Sequence, residues 1–275
     1  MKRELKNIVH QTRSLIKGGD KKKLRIYLDS FDISAIEDLI DELPDYAPLI
    51  IETMSANRAV NVFRILDVPT QERVIKKLSK LKLKELLSIL PPDDQTALLG
   101  ELKDEDLVQE LMALLSPEDK LEVAALLAYP EDSVGRLMTP DYLAINKNIT
   151  VQQTLDTIRK KGKNSETIDV IYILDDNGVL LDDLRIRDLL IVDPSTPISD
   201  IMDNRLISLN AEDPQEEAIK IFKMNNRVAL PVINTEGLLL GIVTIDDILW
   251  VANEEYSEDM QRFGGSGTLD EPYLD

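Results

Sequence analysis

The sequence predicts a multidomain α plus α/β protein: an all-α superhelical N-terminal domain of short helices, then a tandem α/β module, then an acidic helix. Three observations predict it. Apolar residues recur at helical spacing from residue 1 to about 130. Prolines punctuate that stretch at nearly even intervals. After Tyr129-Pro130 the pattern switches to two copies of a β-α-β-β-α unit, roughly 60 residues apart.

In the helical region, sets such as Val60-Phe63-Ile65-Leu66, Leu83-Leu86-Leu87-Leu90 and Leu98-Leu99-Leu102 each mark one helix face. Pro44, Pro69, Pro92 and Pro117 stand about 24 residues apart, the scale of a helical-hairpin repeat. Asp67-Val-Pro-Thr, Leu90-Pro-Pro-Asp-Asp and Ser116-Pro-Glu-Asp each place proline near a helix start, beside a capping residue or acid. Short helices stacked in this way build a superhelix whose hand the sequence leaves open.

The first α/β copy opens on a strand at Tyr142-Leu-Ala-Ile, followed by an amphipathic helix from Val151 to Lys161. Asp169-Val-Ile-Tyr-Ile-Leu is a buried strand, and Asp175-Asp-Asn-Gly supplies residues that tolerate a tight hairpin. A short strand and a helix around Arg187 complete the copy. In the second copy the strands fall at Leu206-Ile-Ser-Leu, Ala229-Leu-Pro-Val-Ile and Leu239-Leu-Gly-Ile-Val-Thr. A helix spans Pro214 to Asn225, and the closing helix runs from Asp246 to about Phe263.

Composition narrows the function. With 32 Lys and Arg against 51 Asp and Glu, the net charge of −19 argues against a nucleic-acid partner. The charge is also segregated. Residues 1–25 carry nine basic and two acidic side chains, whereas residues 246–275 carry nine acidic and one basic. No apolar run approaches the roughly 18 residues of a membrane helix, and Met1-Lys-Arg-Glu-Leu-Lys becomes charged too soon for a leader. The absence of cysteine fits a reducing cytoplasm. Enzyme chemistry finds no foothold: the single histidine, His10, lies in a basic helix, and no cysteine nucleophile, phosphate-binding glycine loop or nucleophile elbow is present.

The tandem resembles a pair of CBS motifs, the Bateman module. Met138-Thr-Pro and Ile201-Met-Asp open the copies, Leu230-Pro-Val precedes the second hairpin, and Gly241-Ile-Val-Thr-Ile-Asp-Asp closes it. Three further features resemble MgtE-type magnesium transporters. These are the helical domain placed first, the junction Pro130-Glu-Asp-Ser-Val-Gly-Arg-Leu-Met-Thr-Pro, and Ser257-Glu-Asp-Met-Gln-Arg-Phe-Gly-Gly followed by Leu269-Asp-Glu-Pro-Tyr. The resemblance implies an N domain over 1–130, CBS motifs over 131–200 and 201–252, and a connecting helix over 253–275. It further implies a homodimer formed through the CBS module, at the cytoplasmic face of the inner membrane. In that family a transmembrane pore follows. The chain stops at Asp275, so a piece of a longer protein, unable to transport alone, is expected.

The connecting helix carries the candidate chemistry. Glu254/Glu258 and Glu255/Asp259 are i, i+4 pairs of like charge, each destabilising by about 0.2–0.5 kcal/mol unless a cation lies between them. Mg2+ suits such a helix because it keeps most of its waters and takes one or two carboxylates at a time. A solvated helix face is the plain alternative. By position, the resemblance implies Mg2+ sites that use Asp93 with Asp247, Glu216 with Glu255, and Glu258 and Asp259, with Asp246 and Glu254 alongside. Asn61, Ala97 and Asn226 stand where the family has acids, and Asp93 also reads as a helix cap.

A nucleotide is the second expectation. Thr244 and Asp247 fit the CBS pattern that holds a ribose, whereas the first copy keeps only Asp188 and lacks the Gly and Thr. Some members of that family bind ATP here, with aromatic residues against the adenine, at positions where this chain has Val170 and Arg227. A freestanding, adenine-nucleotide-sensing CBS regulator with a helical protein-interaction domain is therefore the rival to Mg2+ sensing. The run Lys21-Lys-Lys-Leu-Arg reads as a solvated helix start, or else as a contact for anionic headgroups.

Overall fold

The computed structural model describes residues 2–253, which divide into two compact units meeting at Ala124 and Ala125. The N-terminal unit is helical throughout. It comprises α1 (Lys2–Lys17), α2 (Lys21–Leu28), α3 (Ile33–Glu42), α4 (Ala47–Thr53), α5 (Ala56–Arg64), α6 (Val68–Ile75), α7 (Lys80–Leu87), α8 (Pro92–Glu101) and α9 (Glu105–Leu114). Helix α10 (Pro117–Leu127) begins here and ends in the second unit.

The prolines act as starts. Pro69 sits in the first turn of α6, while Pro92 and Pro117 open α8 and α10, positions that need no backbone donor. Side-chain caps fix other starts. Asp32 accepts from the Ala35 N–H at 2.8 Å, Asp67 from Thr70 at 2.9 Å and Asp104 from Leu107 at 3.2 Å. The helices are too short to stand alone in water, so packing holds them. α3 packs on α5 and α5 on α7, while α4 packs on α6, which is the stacking of a superhelix. Its core is the aliphatic set expected, including Leu28, Ile36, Ile40, Ile51, Leu86 and Leu111, with Phe63 as the large aromatic.

The C-terminal unit contains α11 (Val134–Leu137), β1 (Ala144–Asn146), α12 (Val151–Lys161), β2 (Val170–Leu174), β3 (Leu180–Arg185) and α13 (Ile186–Ile191). The second copy contributes β4 (Leu209–Asn210), α14 (Gln215–Asn225), β5 (Ala229–Ile233), β6 (Leu239–Thr244) and α15, a helix described over residues 245–253. Each copy forms one three-stranded sheet with the same topology. β1 runs parallel to β2 and β4 parallel to β5, while β2–β3 and β5–β6 are antiparallel hairpins. Gly178 and Gly237 occupy the hairpin turns at φ 85° and 79°, where a side chain would be strained. The hairpin tips join the two copies: the Leu180 N–H donates to the Gly237 carbonyl at 3.0 Å, and Val179 bridges Leu238.

The opening strands begin later than the sequence suggests. β1 starts at Ala144 rather than Tyr142, and β4 at Leu209 rather than Leu206. Tyr142 and Leu206 pack instead against the core between the sheets, which Val170, Tyr172, Leu180, Ala229, Leu239 and Ile242 build. Burial there outcompetes strand pairing.

Candidate cation and nucleotide sites

The carboxylates at the start of α15 converge on one hydroxyl. Thr244 ends β6, and its Oγ1 lies 2.5 Å from both Asp246 Oδ1 and Asp247 Oδ2. The spacing is that of a capping arrangement, in which a Thr before the helix meets an acid three residues on. One hydroxyl carries one proton, so the arrangement holds two carboxylates close together at a helix start. Asp246 is exposed and Asp247 half-buried.

Glu216 lies in the first turn of α14. Its Oε2 is enclosed by protein and has no hydrogen-bond donor. A buried carboxylate oxygen without a donor is costly, and a hydrated divalent cation is the kind of group that would satisfy it. Glu216 at the start of α14 and the Asp246–Asp247 pair at the start of α15 are thus two separate acidic features. Among the described residues, no three His, Asp or Glu side chains gather into one metal-ligating cluster.

Asp93 belongs to the N-terminal unit. It is buried at the second position of α8, behind Pro92, and the N-cap position is Pro91, so Asp93 is not the cap the sequence allowed. Its neighbour Asp94 meets Arg64 Nε at 2.5 Å. Asn226, placed where the family has an acid, has a conformational role: at φ 49° it is the left-handed C-cap of α14, a conformation Asn tolerates well. Glu254, Glu255, Glu258 and Asp259 lie outside the described residues.

The two copies differ where a nucleotide would be read. Gly241 is required in β6, because a Cβ there would lie 2.7 Å from the carbonyl oxygen of Thr139, a residue that makes an isolated antiparallel bridge to Ile242. At the matching place in β3 stands Asp182, 1% exposed. Its carboxylate accepts from the Asn204 N–H at 3.0 Å and from the Asp183 N–H at 2.9 Å, so a side chain replaces the backbone bridge. Asp188 sits in the first turn of α13, 3.8 Å from Arg187.

Sequence reasoning missed the polar centre of this unit. Arg227, just before β5, donates to Asp183 of β3 at 2.5 Å, and both side chains are largely buried. Tyr172 is the register partner of Asp183 and fully buried, and its hydroxyl has no partner. Burial raises the Asp183 carboxyl above the ordinary range, and Arg227 opposes that shift. Burial likewise pushes the Tyr172 phenol well up. The available signal was Asp182-Asp183 inside an otherwise apolar strand; nothing local names the partner 44 residues on.

This geometry does not fit an adenine stacked at 170 and 227. Val170 is 2% exposed and has no ring, and the Arg227 guanidinium is committed to Asp183.

Comparison with known proteins agrees with the architecture. Residues 31–132 match the MgtE intracellular N domain, and residues 134–195 and 198–254 each match the CBS domain. The magnesium transporter MgtE of Thermus thermophilus is 33% identical over 258 residues, covering 93% of this chain and 57% of that protein. MgtE of Bacillus subtilis is 28% identical over 254 residues, covering 92% of this chain and 56% of its own length. The chain therefore spans somewhat more than half the length of these relatives. The crystal structure of the cytosolic domain of the Mg2+ channel MgtE in complex with ATP superposes with a TM-score of 0.85 at 32% identity, covering 88% of this chain and 99% of that one. The soluble part of a magnesium transporter, 24% identical, shares the fold at a TM-score of 0.80 over 91% of this chain and 99% of that one. No described helix is long and apolar enough to cross a membrane. The chain belongs to the MgtE magnesium-transporter family, a non-enzymatic family, and covers its cytosolic region, a helical N domain followed by a CBS pair.

Proposed function

We propose that this region senses Mg2+ through carboxylates and controls a transmembrane pore carried by the full-length protein. The enclosed, donorless oxygen of Glu216 carries the reading, supported by Asp246 and Asp247 converging on Thr244. Asp93, Glu254, Glu255, Glu258 and Asp259 join the proposed ligand set from sequence position. Without metal, like charges on separate segments repel. With metal they are neutralised, so Mg2+ binds a closed state more tightly than an open one and shifts the population towards it. By linkage, closure raises Mg2+ affinity by the same factor. The region works as a dimer at the cytoplasmic face of the inner membrane, where closure acts on the pore.

Small-angle scattering across a Mg2+ titration tests this, with K+ at matched ionic strength as control. We expect compaction specific to Mg2+, weakened in Asp93→Ala, Glu216→Gln and Asp247→Ala. A profile unchanged up to millimolar Mg2+ would remove the closure mechanism.

A freestanding adenine-nucleotide sensor is the alternative, favoured by the ATP complex of the 32% identical structure. The Arg227–Asp183 pair weighs against it. ATP at 100 times a dissociation constant stabilises by about 2.7 kcal/mol, which raises Tm by several degrees for a domain of this size. We expect no rise with millimolar ATP in EDTA; a rise of that size reinstates nucleotide sensing.

A further inference from the structure

The N-terminal unit has a face that Mg2+ sensing does not use. A cavity of about 380 Å3 opens between α2, the end of α4, and α7, lined by Arg25, Glu52, Ser55, Ser79, Leu81 and Lys82 among others. Lys82 is its unusual member, since its side chain is only 8% exposed. Its ammonium donates to the Met54 carbonyl at 2.8 Å and to Glu85 at 3.1 Å, which leaves one of its three protons uncommitted. The two acids of the cavity are already engaged: Glu85 by Lys82, and Glu52 by the Ser79 N–H and hydroxyl at 3.1 and 2.8 Å. Arg25 lies 3.7 Å from Asp29, so the donors left over are the third Lys82 proton and those guanidinium N–H groups of Arg25 that do not face Asp29.

The rim adds to this. Leu81 is 82% exposed on α7, and Ile26, next to Arg25 on α2, is 71% exposed. Each shares a helix strip with lysine: Ile26 with Lys22 and Lys23, and Leu81 with Lys84. Lys6, Arg13, Lys17, Lys21, Lys22 and Lys23 are exposed along α1 and α2. Two bare aliphatic side chains among lysines, beside a cavity with a buried ammonium, make a poor solvent surface. The same set suits a phosphate at the edge of hydrocarbon.

We propose that this face docks on an anionic phospholipid surface, with a headgroup phosphate in the Arg25–Lys82 cavity and Ile26 and Leu81 entering the headgroup layer. The proposal rests on the membrane-transporter reading for the presence of a bilayer, and does not depend on Mg2+ binding. It would tether the N-terminal unit to the membrane through charges that salt can screen.

The test is co-sedimentation of the chain with vesicles of phosphatidylcholine alone, or of phosphatidylcholine with 30% phosphatidylglycerol, in EDTA so that no divalent cation bridges carboxylate to lipid. A net charge of −19 repels anionic vesicles overall, so selective binding to them requires a local face. We expect binding only with phosphatidylglycerol, falling as salt rises. Lys22→Glu with Lys84→Glu should weaken it at least about twentyfold. Ile26→Ser with Leu81→Ser should weaken it severalfold while leaving its salt dependence intact. These four positions are exposed, so the variants fold; Lys82→Met then asks about the headgroup phosphate alone. No anionic selectivity at low salt, or equal binding by the surface variants, overturns the proposal. So does binding of polyglutamate or of inorganic phosphate without attachment to vesicles, which would assign the face to an acidic protein or a free anion. A scattering profile insensitive to Mg2+ leaves this result untouched, so the two readings fail separately.

Discussion

Replacing Arg227 with Ala is expected to destabilise the C-terminal unit by about 3–5 kcal/mol, because it strands the buried Asp183 carboxylate. The pair joins the two copies, since Asp183 belongs to β3 and Arg227 precedes β5. The Coulombic gain of a buried pair is largely offset by the desolvation of both ions, so the intact pair need contribute little. Its rupture is what costs. The cost should therefore shrink in the double variant Arg227→Ala with Asp183→Asn, which no longer buries a lone charge. It should also depend on pH. Burial raises the folded-state pKa of Asp183 above its unfolded value, and losing Arg227 removes the group that opposes this. A carboxyl raised in the folded state penalises folding once ionised, so the penalty is complete above the folded pKa and vanishes below the unfolded one. The variant's deficit should be largest at neutral pH and diminish as the solution is acidified. Trp250 is the only tryptophan and lies in α15, so its fluorescence during urea unfolding reports this unit separately from the N-terminal one. A loss below 1 kcal/mol at pH 7, or one independent of pH, contradicts the account.

The parts of this molecule that sequence made legible are those whose cause is local. Pro92 and Pro117 mark helix starts because their missing donors cost nothing there. The turn Asp175-Asp-Asn-Gly reads as a hairpin because Gly178 accepts a positive φ, and Asp175 receives the Asn177 and Val179 N–H groups at 2.8 Å. What sequence misplaced has a non-local cause. Tyr142 has strand propensity, yet its hydroxyl reaches the Leu239 carbonyl, 97 residues away, and its ring packs between the sheets. Asn226 looked like a weakened ligand, but α14 needs a left-handed cap there. For the candidate site, Glu216, Asp246 and Asp247 could be named from their positions. That Thr244 gathers two carboxylates, and that Arg227 closes on Asp183, required the fold.

Charging the exposed apolar doublets of α13 and α15 is expected to convert the proposed dimer to monomer while sparing the fold. Leu190 and Ile191 end α13, and Leu249 and Trp250 occupy the matching places in α15. All four are more than half exposed, although each copy buries the neighbouring Leu189 and Ile248 on the inner face of the same helices. An isolated exposed leucine needs no explanation. The same outward doublet in both copies of a repeat does, because together they give the unit a paired apolar surface that an identical surface on a second copy could cover in a twofold interface. Trp250 is the natural anchor, since buried tryptophans dominate interface energetics at about 2 kcal/mol or more on truncation. Ile191→Glu with Trp250→Glu places two charges on each protomer's side of the interface, four in the dimer, none with a partner, and uncompensated charge is poorly tolerated there. The dimer constant should fall by three orders of magnitude or more, read as mass by sedimentation equilibrium across a protein dilution series. Circular dichroism should remain that of the parent, because none of these side chains belongs to a core. A variant that remains dimeric at micromolar concentration would place the interface elsewhere on the molecule.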